Sequence, residues 1–253
     1  MPNALIATTF KQPTGITVSS ERSGHPGFNL TSFTKWRRTW RSLDVSAQTI
    51  IFDFGVTTTL AGIFVNGCNF ATYTLEGSAN GSTWTTIAAA LATQVDDRLT
   101  RKKVWSPSNA WGSAFNHRYL RVTPATVDAP SPGYFEIGAM AFPDAVVLTQ
   151  NWAAPLRWTP TQAVTRSPFP GGGAESNVEG PRRLVYDLAG PPWKKAMMAQ
   201  LLGLAQPAVG QPLFLYENRG DLSKAYIVER TEDVPFGESF ATFEAAWRLE
   251  ECM

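Results

Sequence analysis

A fifteen-residue segment, Tyr73–Ile87, places the strongest limit on what the first half of this chain can fold into. Apolar and polar residues alternate through its first four positions, which is the pattern of a half-buried β-strand. The strand runs into Asn80-Gly81, a dipeptide that favours a hairpin because both residues tolerate positive φ. The chain then returns through Trp84 and Ile87, whose side chains can pack on the same core. The segment therefore predicts a β-hairpin.

Further strand patterns lie on both sides of this hairpin. Upstream, Gln48–Gly55 is an apolar strand closed by a glycine, and a second apolar strand covers Leu60–Asn66. Downstream, strand patterns recur at Arg118–Val122 and Tyr134–Gly138. Short strands separated by clusters of Gly, Ser, Asn and Pro are typical of an all-β sandwich.

In this order, the patterns resemble those of the discoidin, or coagulation-factor type C, family. Members of that family are β-sandwich jelly rolls of the galactose-binding type, and the matches here extend over roughly residues 20 to 142. The resemblance implies a discoidin-like sandwich over residues 1–144. It predicts the fold better than the ligand, because binding sites are grafted onto folds.

The second half, residues 145–253, is organised differently. A proline in the first turn and an apolar stripe at helical spacing predict one helix, from about Pro192 to Leu204. The segment Pro168–Pro181 is rich in Gly and Pro, which predicts a loop too irregular for a strand ladder. The last strand, Phe240–Glu250, shows clean period-two alternation.

A β-sandwich of this size with one inserted helix resembles the tube-forming domain of siphophage tail-tube and distal tail proteins. The fold class expected is therefore mainly β, with two β-sandwich domains. The resemblance implies a structural protein of a phage tail tip, assembled in the host cytoplasm into a ring of six or three copies. Its partners would be tail-tube and baseplate hub proteins, and the outer sandwich would contact a host surface glycan. The alternative is a carbohydrate-binding module protein or adhesin without a ring role.

The loop predicted at Pro168–Pro181 has two interpretations. It is either a flexible hairpin tip or a segment that orders against a neighbouring subunit, as edge strands and long loops do in tube-forming domains. The candidate inter-subunit residues are Phe169, Gly171, Gly172, Gly173, Glu175 and Asn177.

The segment Lys35–Arg41 interleaves basic residues with two tryptophans. Such a mixture can stack sugars or hold anionic groups. The competing interpretation is that the indoles are buried in the sandwich while the basic side chains extend outward. The candidate ligand-binding residues are Trp36, Arg37, Arg38, Trp40, Arg41 and, further along the chain, Trp111.

Composition argues against several other functions. With 22 Lys and Arg against 21 Asp and Glu, the net charge of +1 supports no general attraction to nucleic acid or to an anionic membrane. No apolar run approaches the roughly 20 residues of a membrane helix, and no signal-peptide pattern opens the sequence. The cysteines, Cys68 and Cys252, lie too far apart in sequence for a disulfide framework.

The sequence carries no catalytic or metal-binding motif. Neither His25 nor His117 accompanies a nucleophile motif, and no zinc-ligand spacing occurs. In the early loop where many discoidin-like domains hold an ion, Glu21 and Asn29 supply fewer oxygens than a hard cation needs. We therefore expect no enzymatic activity, no metal and no cofactor.

Overall fold

The computed structural model describes the chain in thirteen stretches. They are residues 5–32, 38–95, 102–126, 130–144, 146–147, 157–168, 174–189, 193–194, 212–216, 222, 225–230, 236–238 and 242–251. The chain divides into two compact units, one formed by Met1–Leu148 with Phe214–Tyr226 and the other by Thr149–Leu213 with Ile227–Met253. The first unit therefore takes in a segment from beyond the 144/145 boundary that the sequence suggests.

The described residues are mainly β, as the sequence predicts. Apart from strands, their regular structure is two short 3₁₀ turns, at Gly27–Thr31 and Ser108–Ala110. The strands as far as Val147 are β1 (Leu5–Ala7), β2 (Gly15–Val18), β3 (Trp40–Arg41), β4 (Ile50–Thr59), β5 (Gly62–Cys68), β6 (Thr72–Ser78), β7 (Thr85–Ala92), β8 (Gln94–Val95), β9 (Lys102–Pro107), β10 (Asn116–Pro124), β11 (Glu136–Ile137), β12 (Ala139–Ala141) and β13 (Val146–Val147). Those that follow are β14 (Arg157–Pro168), β15 (Ala174–Ala189), β16 (Trp193–Lys194), β17 (Pro212–Tyr216), β18 (Ala225–Arg230), β19 (Phe236–Glu238) and β20 (Thr242–Glu251).

Two antiparallel sheets enclose the core of the first unit. One has the order β2-β4-β10-β6-β7 and the other the order β12-β5-β9-β8. Phe52 and Leu120 from the first sheet and Val65 and Val104 from the second belong to one buried cluster. The alternation of β4 produces this arrangement, because every second side chain of a strand points to the same face.

The predicted hairpin is confirmed, since β6 and β7 are antiparallel neighbours. Gly81 has φ +76°, a conformation that favours glycine. The Asn80 side-chain oxygen accepts hydrogen bonds from the backbone N–H groups of Ser82 and Thr83, each at 3.0 Å. The asparagine therefore stabilises the connection by capping it.

A segment from the second half of the chain completes the first unit. In β17, Leu215 pairs with Ile6 of β1, and β1 pairs on its other side with β13. The ring of Phe214 lies 5.6 Å from that of Phe64 and 4.7 Å from that of Trp105. Both faces of β5 are thereby covered, which explains why all seven of its residues are buried.

The solvent face of the five-stranded sheet carries two ion pairs. Arg118 binds Asp53 through two hydrogen bonds of 2.8 Å, and Arg121 lies 2.6 Å from Glu76. The hydrogen bonds from Arg118 lower the pKa of Asp53 to about 2. This pair therefore makes the folded unit sensitive to acid.

The second unit contains a long antiparallel hairpin where the sequence predicts a loop. Ala174–Pro181 belongs to β15, and its pairing with β14 reaches Pro168 opposite Ala174. The loop prediction is wrong for these residues because a register shift between Thr161 and Ala163 accommodates Gly180-Pro181. Pro181 has no backbone N–H, and at a bulge this missing donor does not interrupt the regular ladder of hydrogen bonds.

The predicted helix also begins differently. Trp193 and Lys194 form β16, opposite Phe243 and Thr242 of β20. Pairing with a neighbouring strand overrides the local helical pattern at these two residues. The remainder of the predicted helix, residues 195–204, lies outside the described residues.

Candidate functional site

The structure places two of the candidate tryptophans in the core. Trp40 is 0% exposed and its indole N–H donates to the Ser20 carbonyl at 3.1 Å. Trp111 is 7% exposed and its indole N–H donates to the Ser106 hydroxyl at 2.9 Å. Both rings are buried, which favours the interpretation that these indoles belong to the core of the sandwich; their ligand-binding role stays a prediction.

The remaining candidates of that group differ in position. Arg38 is exposed and Arg41 is partly buried. Trp36 and Arg37 lie outside the described residues. In the pairing of β3 with β11, Arg41 stands opposite Glu136, and its guanidinium lies 3.2 Å from that carboxylate.

A second arginine joins Arg41 on an aromatic ring. The guanidinium carbon of Arg22 lies 4.4 Å from the centroid of the Tyr134 ring, and that of Arg41 lies 5.2 Å from it. Both distances are within the range of cation–π attraction. We call Arg22, Arg41, Asn69, Tyr134 and Glu136 the arginine–tyrosine cluster.

Hydrogen bonds hold the two arginines beside each other. The backbone N–H of Arg22 donates to the carbonyl of Arg41 at 2.9 Å, and that of His25 donates to the carbonyl of Arg22 at 2.9 Å. The guanidinium of Arg22 also donates to the carbonyl of Leu43 at 3.2 Å. Two stretches about twenty residues apart in sequence therefore form one surface.

Asn69 connects the loop after β5 to the segment that carries the tyrosine. Its side-chain amide donates to the Tyr134 carbonyl at 3.0 Å, and its side-chain oxygen accepts from the Glu136 N–H at 2.9 Å. Just before Tyr134, Gly133 has φ +73° and closes a turn onto the Pro130 carbonyl at 3.0 Å. The backbone on both sides of Tyr134 is thus held by hydrogen bonds.

In the early loop that was considered as an ion site, Glu21 and Asn29 make hydrogen bonds to the protein's own backbone. The Glu21 carboxylate accepts from the Gly27 N–H at 2.9 Å, and the Asn29 amide donates to the Thr39 carbonyl at 3.0 Å. Among the described residues, no group of three or more His, Cys, Asp or Glu side chains is arranged to hold a metal ion.

Cys68 is a buried thiol that hydrogen-bonds the Lys102 carbonyl at 3.2 Å. Burial raises its pKa to about 12, so it stays protonated at neutral pH and is a poor nucleophile. Within the part of the chain that is described, no helix has the length and apolarity to cross a membrane.

The candidate inter-subunit residues are only partly described. Glu175 and Asn177 lie in β15, opposite Ser167 and Thr165 of β14. Phe169, Gly171, Gly172 and Gly173 lie outside the described residues. Their inter-subunit role stays a prediction.

Four members of the arginine–tyrosine cluster do not stand out in the sequence as site residues. Arg22 is separated from Arg41 by 18 residues, and Asn69, Tyr134 and Glu136 lie in other strands or loops. A usable signal is the absence of any Asp or Glu between Arg22 and Leu43, a stretch that contains five basic residues.

Comparisons with known proteins identify the first sandwich. Residues 15–137 match the model of the F5/8 type C domain, a little under half of the chain. The N-terminal part is therefore a discoidin-like, galactose-binding-like β-sandwich, as the sequence resemblance implies. No curated protein matches this chain.

The solved structures to which this chain is similar include the following three. Chitosan-binding module 1 of a chitosanase/glucanase from Paenibacillus sp. IK-5 is 15% identical, with 53% of this chain and 96% of that chain covered and a TM-score of 0.40. The CBM32 of AlyQ, in complex with 4,5-unsaturated mannuronic acid, is 14% identical, with 53% and 97% covered and a TM-score of 0.41. CBM32-3 from a family 31 glycoside hydrolase of Clostridium perfringens is 16% identical, with 52% and 89% covered and a TM-score of 0.39.

Proposed function

We propose that this protein is a non-catalytic binding protein whose N-terminal sandwich binds a carbohydrate at the arginine–tyrosine cluster. The observation that carries the proposal is the convergence of Arg22 and Arg41 on the Tyr134 ring of a discoidin-like sandwich. Sugar recognition needs directional donors and acceptors beside an aromatic surface, and the cluster supplies both.

The rigidity of the cluster also supports binding. Asn69 and the pairing of Arg41 with Glu136 fix the polar groups before a ligand arrives. A preorganised site loses less conformational entropy when it binds. Its carboxylate and guanidinium offer both acceptors and donors to sugar hydroxyl groups.

The experiment compares two tyrosines in the full chain. Tyr134→Ala removes the ring of the cluster, whereas Tyr119→Ala removes a ring on the sheet face that also lies near an arginine, Arg118 at 4.8 Å. Both variants and the parent protein are applied to an immobilised glycan array, and hits are measured by calorimetry. We expect Tyr134→Ala to abolish glycan binding and Tyr119→Ala to retain it. Equal loss in both variants, or no binding by the parent protein, would contradict the proposal.

We propose as a second candidate that the C-terminal half forms a ring of six or three copies in a phage tail tip, with tail-tube and baseplate hub proteins as partners. The β14–β15 hairpin favours this role, because β14 extends over 12 residues and lies at the edge of the described sheet. Edge strands are templates for pairing with another chain. In this role the protein would be located in the virion.

Imaging distinguishes this candidate from a free-standing binding protein. A reconstruction of the assembled particle should show the chain around the tail axis, with the β14–β15 hairpin against a neighbouring copy. A position in a fibre or spike, with no contacts around the axis, would rule out the ring and leave the carbohydrate-binding role.

A further inference from the structure

The segment between Arg22 and Leu43 has an uneven charge. It carries five basic side chains and no acidic one, whereas the whole chain is nearly balanced at +1. Glu21 and Asp44 lie immediately outside it. The glutamate accepts a hydrogen bond from the Gly27 N–H, and the Asp44 carboxylate accepts one from the Ser46 N–H at 2.8 Å.

The fold brings two of these basic side chains, Arg22 and Arg41, onto one tyrosine ring. Arg22 and Arg41, near the two ends of the segment, are hydrogen-bonded through their backbones and share the ring of Tyr134. Arg38, which lies between them in the sequence, is exposed. Among the described contacts of these guanidiniums, the carboxylate present is that of Glu136, which pairs with Arg41. Positive charge therefore exceeds negative charge within the cluster.

One donor in the cluster has no acceptor. The Nε of Arg41 is buried and makes no hydrogen bond. An unsatisfied buried donor is unusual in a folded protein and has a free-energy cost. The Arg41 guanidinium therefore keeps donor capacity beyond its pair with Glu136.

We infer that the ligand is an acidic glycan whose uronate carboxylate is bound by Arg22 and Arg41. This inference rests on the proposed carbohydrate-binding function and names its ligand class. Guanidinium groups match the geometry of a carboxylate, with two parallel N–H donors for its two oxygens. The Tyr134 ring holds both guanidiniums in place, which reduces the entropy lost on binding.

An anionic phospholipid surface is the rival ligand. Two large apolar side chains are exposed: Phe28, in the 3₁₀ turn Gly27–Thr31, at 63%, and Leu43, whose carbonyl accepts from Arg22, at 58%. We favour the glycan because Arg22 is tied to the Leu43 carbonyl and Arg41 to Glu136, so both charges are fixed by the protein. A lipid surface would use the exposed apolar side chains Phe28 and Leu43 and would not require two guanidiniums fixed on one ring.

The test uses two probes with the same backbone. Oligogalacturonate and its fully methyl-esterified form differ in charge, and each is titrated into the full chain by calorimetry. We expect the free acid to bind at least about tenfold more tightly, because hydrogen bonds to charged groups are stronger than neutral ones. The difference should shrink as salt is added.

Variants then locate the charge. Arg22→Gln should lower the affinity for the free acid by about tenfold and leave that for the ester nearly unchanged. Lys11→Gln is the matched control, since Lys11 lies beside Thr57–Thr59 in the last residues of β4 and makes an exposed pair with Asp144. Glu136→Gln should raise the affinity for the free acid, because it releases Arg41 from its ion pair. Thermal unfolding checks that each variant is folded. If Arg22→Gln does not fold, Arg22→Lys is measured in its place.

The outcomes separate the inference from the function on which it rests. Equal affinity for acid and ester, or an equal loss in Lys11→Gln, overturns the acidic ligand and leaves glycan binding intact. Binding to a neutral glycan alone does the same. If the chain binds no glycan but binds phosphatidylserine vesicles, both the inference and the proposed function fail in favour of the lipid surface.

Discussion

Replacing Trp40 by phenylalanine tests whether this residue belongs to the core or to a ligand site. The indole is 0% exposed, belongs to the buried cluster and donates to the Ser20 carbonyl. The phenyl ring is smaller than the indole, and the void that it leaves should cost about 1–2 kcal/mol. Loss of the hydrogen bond should add about 1 kcal/mol. The expected fall in the free energy of unfolding is therefore about 2–3 kcal/mol.

The assay must report on the first unit alone, because a chain with two units need not unfold in one step. Hydrogen exchange of the β4 and β10 amides, followed at increasing urea concentrations, provides this report. Trp84→Phe is the matched control, since Trp84 is partly buried and packs against the Arg121 guanidinium at 4.3 Å. That change should cost less than about 1 kcal/mol.

Glycan binding supplies the second readout for Trp40→Phe. Under conditions where the variant stays folded, its affinity should match that of the parent protein. An unchanged urea midpoint together with lost binding would refute the reasoning and return Trp40 to the ligand site.

Two further predictions concern stability. Gly62→Ala should lower the melting temperature, because its added Cβ would meet the Trp105 ring and lie 2.6 Å from the Ser106 carbonyl oxygen; we expect about 1–3 kcal/mol from such overpacking, measured by thermal unfolding. The pair of Asp53 with Arg118 should make stability fall in acid, because folding lowers the pKa of Asp53 to about 2. The stability that this pair contributes is complete above the ordinary aspartate pKa near 4, and it is lost as the pH falls from there through 2. Urea midpoints between those pH values measure the loss, and Asp53→Asn should flatten it; an unflattened curve would assign the acid sensitivity to other groups.

The sequence predicted the parts of the fold that depend on local pattern. The hairpin between β6 and β7 follows from the Asn80-Gly81 turn, and β4 follows from period-two burial. These features need few contacts from elsewhere in the chain. The discoidin-like order of strands could therefore be recognised before any geometry was known.

Features that depend on distant partners could not be predicted in the same way. The tryptophan at 40 is buried by strands that lie far away in sequence, so its neighbours Arg38 and Arg41 gave no indication of it. The proline at 181 is accommodated by a bulge that only the pairing of β14 with β15 reveals. The Arg22–Tyr134 contact joins residues more than a hundred positions apart, and no local period encodes it.

The pairing of β1 with both β13 and β17 has a consequence for how this module can be inherited. A gene fragment that encodes residues 1–144 would lack both strands that flank β1, and Phe64 and Trp105 would lose Phe214. Recombination at that boundary would transfer a sandwich with a bare strand edge and uncovered aromatic rings, both of which promote aggregation. A fragment that keeps this module whole would therefore have to include residues 1–148 together with residues 214–226.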